Sequence, residues 1–444
     1  MRQVVFLLTF MCSLLLLSLP SSAQSPDTVK ITPVPDIVHS FSVNADMMTR
    51  GEFRYGGMQA EDPNDVIKDY AAFFMERVRL RLDYQYKFLN IRLAPQPAGI
   101  WGQQGGGAFK LHEAWIKLTA RNGLFMQVGR QALNYDDQRI IGSDDWTMTA
   151  ASHDIVKVGF EGKGHKLHLV VAYNQNNERL NGGTFYENGA QPYKTMQTLW
   201  YHYDTKINLG FSLLFMNVGV QAGNVNNYQT KYQHVAGAFL QYRPRNWNIE
   251  GSFYYQFGKE EHNIPISAYM GSGKAAYEAD KWGVSVGYDY LSGDPNFLVP
   301  AEGQLGLIRH ETIRGFCPLF GSHHKFYGAM DFFYMQTYVN GFTPGLQNAF
   351  LSGYYRPVPK VDLTVAYHFL ATATAIRDHS KALGHELELN ACWNILPFVQ
   401  LSGGYTFMFG TETMEFLKRK NPSSQLHWGW LMLRVNPELF NYKK

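Results

Sequence analysis

Polar and apolar residues alternate one by one between Arg77 and Tyr84: Arg77, Arg79, Arg81 and Asp83 fall on one parity, Val78, Leu80, Leu82 and Tyr84 on the other. Successive side chains of a strand point to opposite faces, so the segment predicts a strand with one face for water or counter-charge and one for hydrocarbon. The pattern recurs. Leu124, Met126 and Val128 oppose Phe125, Gln127 and Gly129, while Val156, Val158 and Phe160 oppose Lys157 and Glu161. Leu209, Phe211, Leu213 and Phe215 face away from Asn208, Gly210 and Ser212, and Trp282, Val284, Val286 and Tyr288 from Gly283, Ser285 and Gly287. One such strand would also suit a soluble sandwich. Repetition along the chain, with apolar faces that end in Tyr or Trp, predicts the wall of a membrane β-barrel with an aromatic girdle.

The connections differ in length. Arg121-Asn122-Gly123, Gly162-Lys163-Gly164, the Thr205 region, Pro244-Arg245-Asn246 and Pro357-Val358-Pro359 read as tight turns. Between them lie long stretches, roughly 132–153, 174–195, 292–325 and 410–425. Short turns on one rim and long loops on the other fit an outer-membrane barrel whose short side faces the periplasm. Two regions, 84–88 and 264–277, read either as turn or as strand. An even count of about 18 strands is expected, and a barrel of that size encloses water rather than a side-chain core.

Composition adds a compartment. Met1-Arg2-Gln3, a nearly unbroken apolar run from Val4 to Leu19 and the small-residue site Ser21-Ser22-Ala23 describe a secretory signal peptide over 1–23, leaving 24–444 as one barrel domain. Cys12 lies deep in that apolar run behind Met11, which is not the small residue a lipoprotein cleavage needs. Beyond it only Cys317 and Cys392 remain, with no disulfide framework or zinc spacing to argue from. The chain carries 40 Lys and Arg against 37 Asp and Glu, so an anion preference would have to arise from local arrangement and no nucleic-acid partner is implied.

The densest motif runs Gly129-Arg130-Gln131, Tyr135-Asp136-Asp137-Gln138-Arg139, Trp146 and His153-Asp154. Asp136 and Asp137 beside Arg139 can form a charge-assisted network that fixes the loop, with Tyr135, Trp146, His153 and Asp154 as further anchors. Together with Leu291-Ser292-Gly293-Asp294, Phe320-Gly321-Ser322-His323-His324-Lys325, Leu383-Gly384-His385-Glu386-Leu387-Glu388 and Gly410-Thr411-Glu412, this stretch resembles the alginate export family of outer-membrane porins. The resemblance implies an 18-stranded barrel, an arginine-rich lumen, loops folding toward the pore and, in the namesake, passage of an anionic polysaccharide. It places Arg77, Arg79, Arg81 and Arg130 at the lumen or rim and Asp136 and Arg139 in the loop.

The expected function is passage of anionic solute or polysaccharide. Its candidate lining residues are Arg77, Arg79, Arg81, Asp83, Arg92, Glu113, Lys117, Arg130 and Lys157. Same-face neighbours on a strand lie about 6.6 Å apart, inside the ~8 Å screening length at physiological salt, so their potentials overlap. A general porin with weak anion bias and a barrel-anchored receptor acting through its loops are the alternatives. A monomer among outer-membrane lipid and lipopolysaccharide, inserted by the barrel-assembly machinery, needs no cofactor and no metal. His323-His324 suit hydrogen bonding better than metal ligation. Enzymatic motifs do not survive inspection: Gly283-Val284-Ser285-Val286-Gly287 lies within an alternating strand, where a nucleophile elbow has no turn, and Gly271-Ser272-Gly273-Lys274 lacks both the leading glycine and the hydroxyl of a phosphate loop.

Overall fold

The computed structural model describes residues 39–55, 70–178, 180, 185–187, 189–295, 311–331, 343–418 and 425–444; the expected signal peptide and its cleavage site lie outside them. Eighteen antiparallel strands close into one barrel. They are β1 (Ser40–Tyr55), β2 (Ala71–Tyr86), β3 (Leu89–Ile100), β4 (Ala108–Thr119), β5 (Leu124–Gln131) and β6 (His153–Gly162). Next come β7 (His165–Tyr173), β8 (Thr195–Asp204), β9 (Leu209–Asn224), β10 (Asn227–Tyr242), β11 (Trp247–Lys259) and β12 (Pro265–Glu278). The circuit ends with β13 (Trp282–Leu291), β14 (Leu346–Val358), β15 (Val361–Ala371), β16 (Ala382–Leu396), β17 (Val399–Gly410) and β18, which comes in two pieces, Gln425–Val435 and Glu438–Lys443.

Both pieces of β18 pair with β1, which closes the circle. Pro437 has no amide to give the ladder, but its carbonyl accepts from the Ala45 N–H at 3.1 Å. The register then slips by one residue, so Asn44 faces Glu438 but Val43 faces Phe440. The tight turns marked in the sequence lie on the rim where the described chain begins and ends, and the long connections lie on the other, together with the two-residue turn that joins β9 to β10. The regions left open by the sequence resolve as a turn at Lys87-Phe88, with Lys87 at φ 49°, and as strand β12. At Gly123, φ is 90° and a Cβ would collide with the Glu161 carbonyl, so that turn requires glycine.

The alternation settles the two faces. Val286 and Leu351, paired across β13 and β14, are each 57% exposed, whereas inward Asp289 and Asn348 are buried. Outward rings pair at both rims, edge to face in Trp247–Tyr277 at 5.3 Å and stacked in Phe74–Trp101 at 5.0 Å. In the half nearer the long loops, strands turn apolar on both faces. Leu213 and Phe215 point out while Leu214 and Met216 point in, buried. Long loops that fold back cover the inward side, and Leu133, Ile140, Ile141, Phe316 and Met330 join Met196, Trp200, Met216, Tyr254 and Trp428 in one core. The half of the barrel nearer the long loops is therefore packed like a soluble protein.

An arginine placed at outward Val286 should cost about 2–4 kcal/mol near the bilayer midplane. Thr364→Asn, on an exposed inward position of β15, should cost little. Urea unfolding in lipid vesicles measures both, and equal costs would contradict the assignment of faces.

Candidate functional site

The segment 132–152, between β5 and β6, crosses the lumen without a strand partner. Its backbone needs other hydrogen-bond partners, because buried carbonyls are costly to leave unpaired. The wall supplies them residue by residue. Arg77 Nη1 donates to the carbonyls of Asp145 (3.0 Å) and Thr147 (2.9 Å), and Arg50 Nη1 to that of Trp146 (3.1 Å). Gln96 Nε2 donates to Met148 (3.1 Å) and Thr149 (3.0 Å), and Lys110 Nζ to Ala150 (2.9 Å). Six consecutive carbonyls are thus satisfied from β1 to β4. Asp145 adds charge, meeting Arg79 at 2.8 Å, Arg77 at 3.3 Å and Arg434 at 3.4 Å, while Asp46 pairs with Arg77 and Arg434 from the wall.

The front of the same segment is pinned across the barrel. Tyr135 stacks on Trp200 at 4.7 Å, and its hydroxyl lies 3.2 Å from His168 Nδ1. Asp136 and Arg139 do not pair with each other. Asp136 accepts from Trp200 Nε1 (3.0 Å) and the Tyr254 hydroxyl (3.4 Å), and burial raises its carboxyl above the usual range. Arg139 instead binds Asp137 (2.8 Å) and, on β13, the buried Asp289 (2.9 Å), and donates to the Tyr327 hydroxyl (3.1 Å). Burial opposes its charge, but Tyr327, Asp289 and Asp137 outweigh that and hold it firmly protonated.

A second inward segment, 311–331, joins the first. Ile141 and Phe320 form a parallel bridge, and Trp146 stacks on His324 at 5.0 Å with rings 6° apart. His324 donates to Asp331 (2.9 Å), whereas His323 faces the Pro318 carbonyl (3.3 Å). The Ala329 and Met330 amides donate to Glu388 (2.8 Å) and Glu386 (3.1 Å) of β16. From Glu388 a chain of contacts runs through His368 (3.3 Å) and Asn348 (2.9 Å) to Asp289 (2.9 Å), and so to Arg139. His153 and Asp154 close the far end: His153 Nδ1 lies 2.8 Å from the Tyr193 hydroxyl, and Asp154 pairs with Arg130 at 2.7 Å.

The expected lining residues therefore divide. Arg77 is fully buried and Arg79 nearly so, both engaged with the loop, so neither offers a free charge to the lumen. Arg130 falls in register on the outward parity of Met126 and Val128, opposite Asp154, which corrects its placement in the lumen. Arg81, Asp83, Arg92, Glu113, Lys117 and Lys157 do fall on the inward parity. Arg92 is balanced by Asp83 (2.6 Å) and Glu113 (3.3 Å), and Arg81 sits 3.6 Å from Asp83, half exposed. Lys117 and Lys157 make no ion pair among the described residues; both ammonium groups lie over the ring of Phe125, at 4.2 and 5.9 Å. The wall opposite is hydroxylic, with Ser252 facing Ser272 and Ser285 facing Ser352 in register.

Sequence inspection passed over Arg50, Gln96, Lys110 and Arg434, which hold the loop, and the relay from Asp289 to Glu388. Part of the signal was present: Asp46, Arg50, Glu52 and Arg54 alternate as regularly as the arginines of β2, and Glu386 and Glu388 stand on one parity.

A closed barrel with a lipid-facing apolar wall, a polar interior and loops folded inward defines an outer-membrane porin. The alginate export family model matches residues 107–379, more than half of the chain, and the protein belongs to that family, in the outer membrane of a Gram-negative bacterium. No curated protein matches it. Among solved structures the fold is similar to Pseudomonas aeruginosa OccK9 (OpdG), at 12% identity and TM-score 0.59 over 90% of this chain and 98% of that one. Acinetobacter baumannii OccAB1 is similar at 10% identity and TM-score 0.59, over 91% and 98%.

Two outcomes follow for the inward segments. Arg77→Met leaves the strand ladder intact but removes the donor of two carbonyls and one of the three guanidinium partners of Asp145, costing the seated loop about 2–5 kcal/mol. Amide exchange over 143–150 should rise accordingly; unchanged protection would show that Arg77 does not hold the loop. His324 is depressed by burial, but Asp331, Glu388 and Asp144 outweigh this and raise it above its ordinary 6.5, whereas burial pushes His323 down to about 4. A raised histidine contributes stability that is complete below its unfolded value and is lost as pH rises through the folded one. Loop-opening flicker in single-channel records should therefore grow as pH rises above about 6.5, and His324→Gln should flatten that dependence.

Proposed function

We propose that this porin passes anionic solutes, including anionic oligosaccharides or polysaccharides such as alginate, along a basic stripe on one side of its lumen. The observation that carries the proposal is the pair Lys117 and Lys157, inward-facing cations without ion pairs among the described residues, with half-exposed Arg81 nearby. Lys117 faces Gln127 and Gln127 faces Lys157, so the two lysines stand two strand spacings apart, about 10 Å, close to the ~8 Å screening length. An anion leaving one enters the field of the other. Asp83 and Glu113 temper the stripe through Arg92 and keep sites weak enough for release. The same tempering favours a second reading, a general diffusion porin with weak anion bias. The protein acts as a monomer among lipid and lipopolysaccharide, placed there by the barrel-assembly machinery.

Reversal potential in a salt gradient should report anion preference, and the combined change Arg81→Gln, Lys117→Gln and Lys157→Gln should move it toward zero while the barrel stays folded. A triple variant with the wild-type potential would remove the stripe as the selectivity element. Concentration-dependent block of ion current by a polyuronate supports polysaccharide passage, and its absence with anion preference retained supports the general porin.

A further inference from the structure

We infer that the lumen holds a second subsite, for uncharged solute: a cavity of about 270 Å³ between segment 324–328 and the inner wall of β10 to β16, which takes one ring of a neutral polyhydroxylated solute. It stands apart from the basic stripe of β2 to β6 and does not depend on the anion preference proposed for it.

Most charges that line this cavity are already matched, and the Lys325 ammonium donates to the Asp137 carbonyl at 3.1 Å. Arg139 holds Asp137 and Asp289 at 2.8 and 2.9 Å, Lys274 holds Glu250 at 2.7 Å, and Glu388 lies 3.3 Å from His368. A free anion entering would meet four carboxylates, and a free cation would meet Arg139, Lys274 and Lys325. Neither gains net charge complementarity. A hydroxyl group, by contrast, both donates and accepts, and the lining offers both roles. Carboxylates accept, ammonium and amide groups donate, and four serines do either.

Those serines are set out on adjacent strands. Ser252 faces Ser272 in register, and Ser285 Oγ lies 2.7 Å from Ser352 Oγ. Ser272 is committed to Asp289 at 2.7 Å, while Ser252 Oγ is buried with no protein partner among the described residues. Phe239, Phe326 and Phe350 contribute the apolar part of the lining. One face of Phe326 is taken by the Arg139 guanidinium at 4.0 Å, which fixes the ring. Apolar surface beside convergent hydroxyls and carboxylates matches a sugar ring, whose faces present C–H groups and whose edge presents hydroxyls. The volume falls just below the roughly 300 Å³ at which pockets for drug-sized ligands begin, so it suits one ring, or two at most.

The test is current block in planar bilayers by a neutral disaccharide such as maltose, compared between wild type and Ser285→Leu, which fills the cavity from β13. Wild type should show concentration-dependent block. Ser285→Leu should raise the half-blocking concentration tenfold or more with reversal potential unchanged, and Ser285→Thr, which keeps the hydroxyl, should stay near wild type. Ser352→Leu serves in the same way should Ser285→Leu fail to fold. Absence of maltose block in wild type, or equal block in wild type and the leucine variants, would overturn the subsite. Neither result touches the anion preference, which the salt-gradient potential reads separately.

Discussion

A polypeptide segment that leaves a sheet and lies across the inside of a barrel brings with it a row of carbonyls that no neighbouring strand can satisfy. Here six such groups in succession, from Asp145 to Ala150, are met by side chains of the wall. An unpaired buried carbonyl costs about 1–3 kcal/mol, so leaving the row unmet would cancel much of what burial of Leu133, Ile140 and Ile141 contributes. The position of the segment therefore follows from where the wall offers donors. Segment 311–331 in turn seats on the first through Phe320, Tyr327 and His324, and its own amides find acceptors in Glu386 and Glu388.

This constraint changes what an inward arginine means. A guanidinium has five N–H groups in a fixed fork and can serve two carbonyls and two carboxylates at once, as Arg77 does. Lysine at the neighbouring position of β4 serves a single carbonyl. Arg77 and Arg79 are scaffolding for the constriction, and electrostatics facing the solute falls to residues nearer the periplasmic rim. A lumen can thus be rich in arginine by composition while only some of its cations are free to act on a passing ion.

The wall was legible from alternation alone, because each strand meets lipid on one side, and that pattern survives whatever the loops do. Parity also placed Lys117 and Lys157 inward. It also sets Arg130 on the outward face of Met126 and Val128, where the ladder pairs it with Asp154; what failed there was the lumen placement drawn from the family resemblance, which carries a residue type and not its parity. The acidic-basic cluster around 136–139 announced a fixed loop but not its partners, because Asp289, Trp200 and Tyr254 come from strands distant in the chain. Runs such as Leu213-Leu214-Phe215-Met216, apolar on both parities, were the readable trace of loops folded against the wall.

The slip in register near the end of β18 decides what the last residues of the chain face. Up to Glu438, even-numbered residues of β18 point inward, as Trp428, Met432 and Arg434 do. One surplus residue, Leu439, reverses the phase, so that Phe440 pairs with outward Val43 and packs its ring 6.1 Å from Phe41. Phe440 and Tyr442 thereby reach the membrane interface. Because side-chain direction in a strand repeats every two residues, a single insertion is enough to move a whole tail from one medium to the other. The bulge acts as a phase shifter between two solvents, and without it the chain would end with two aromatic rings turned into the water of its own channel.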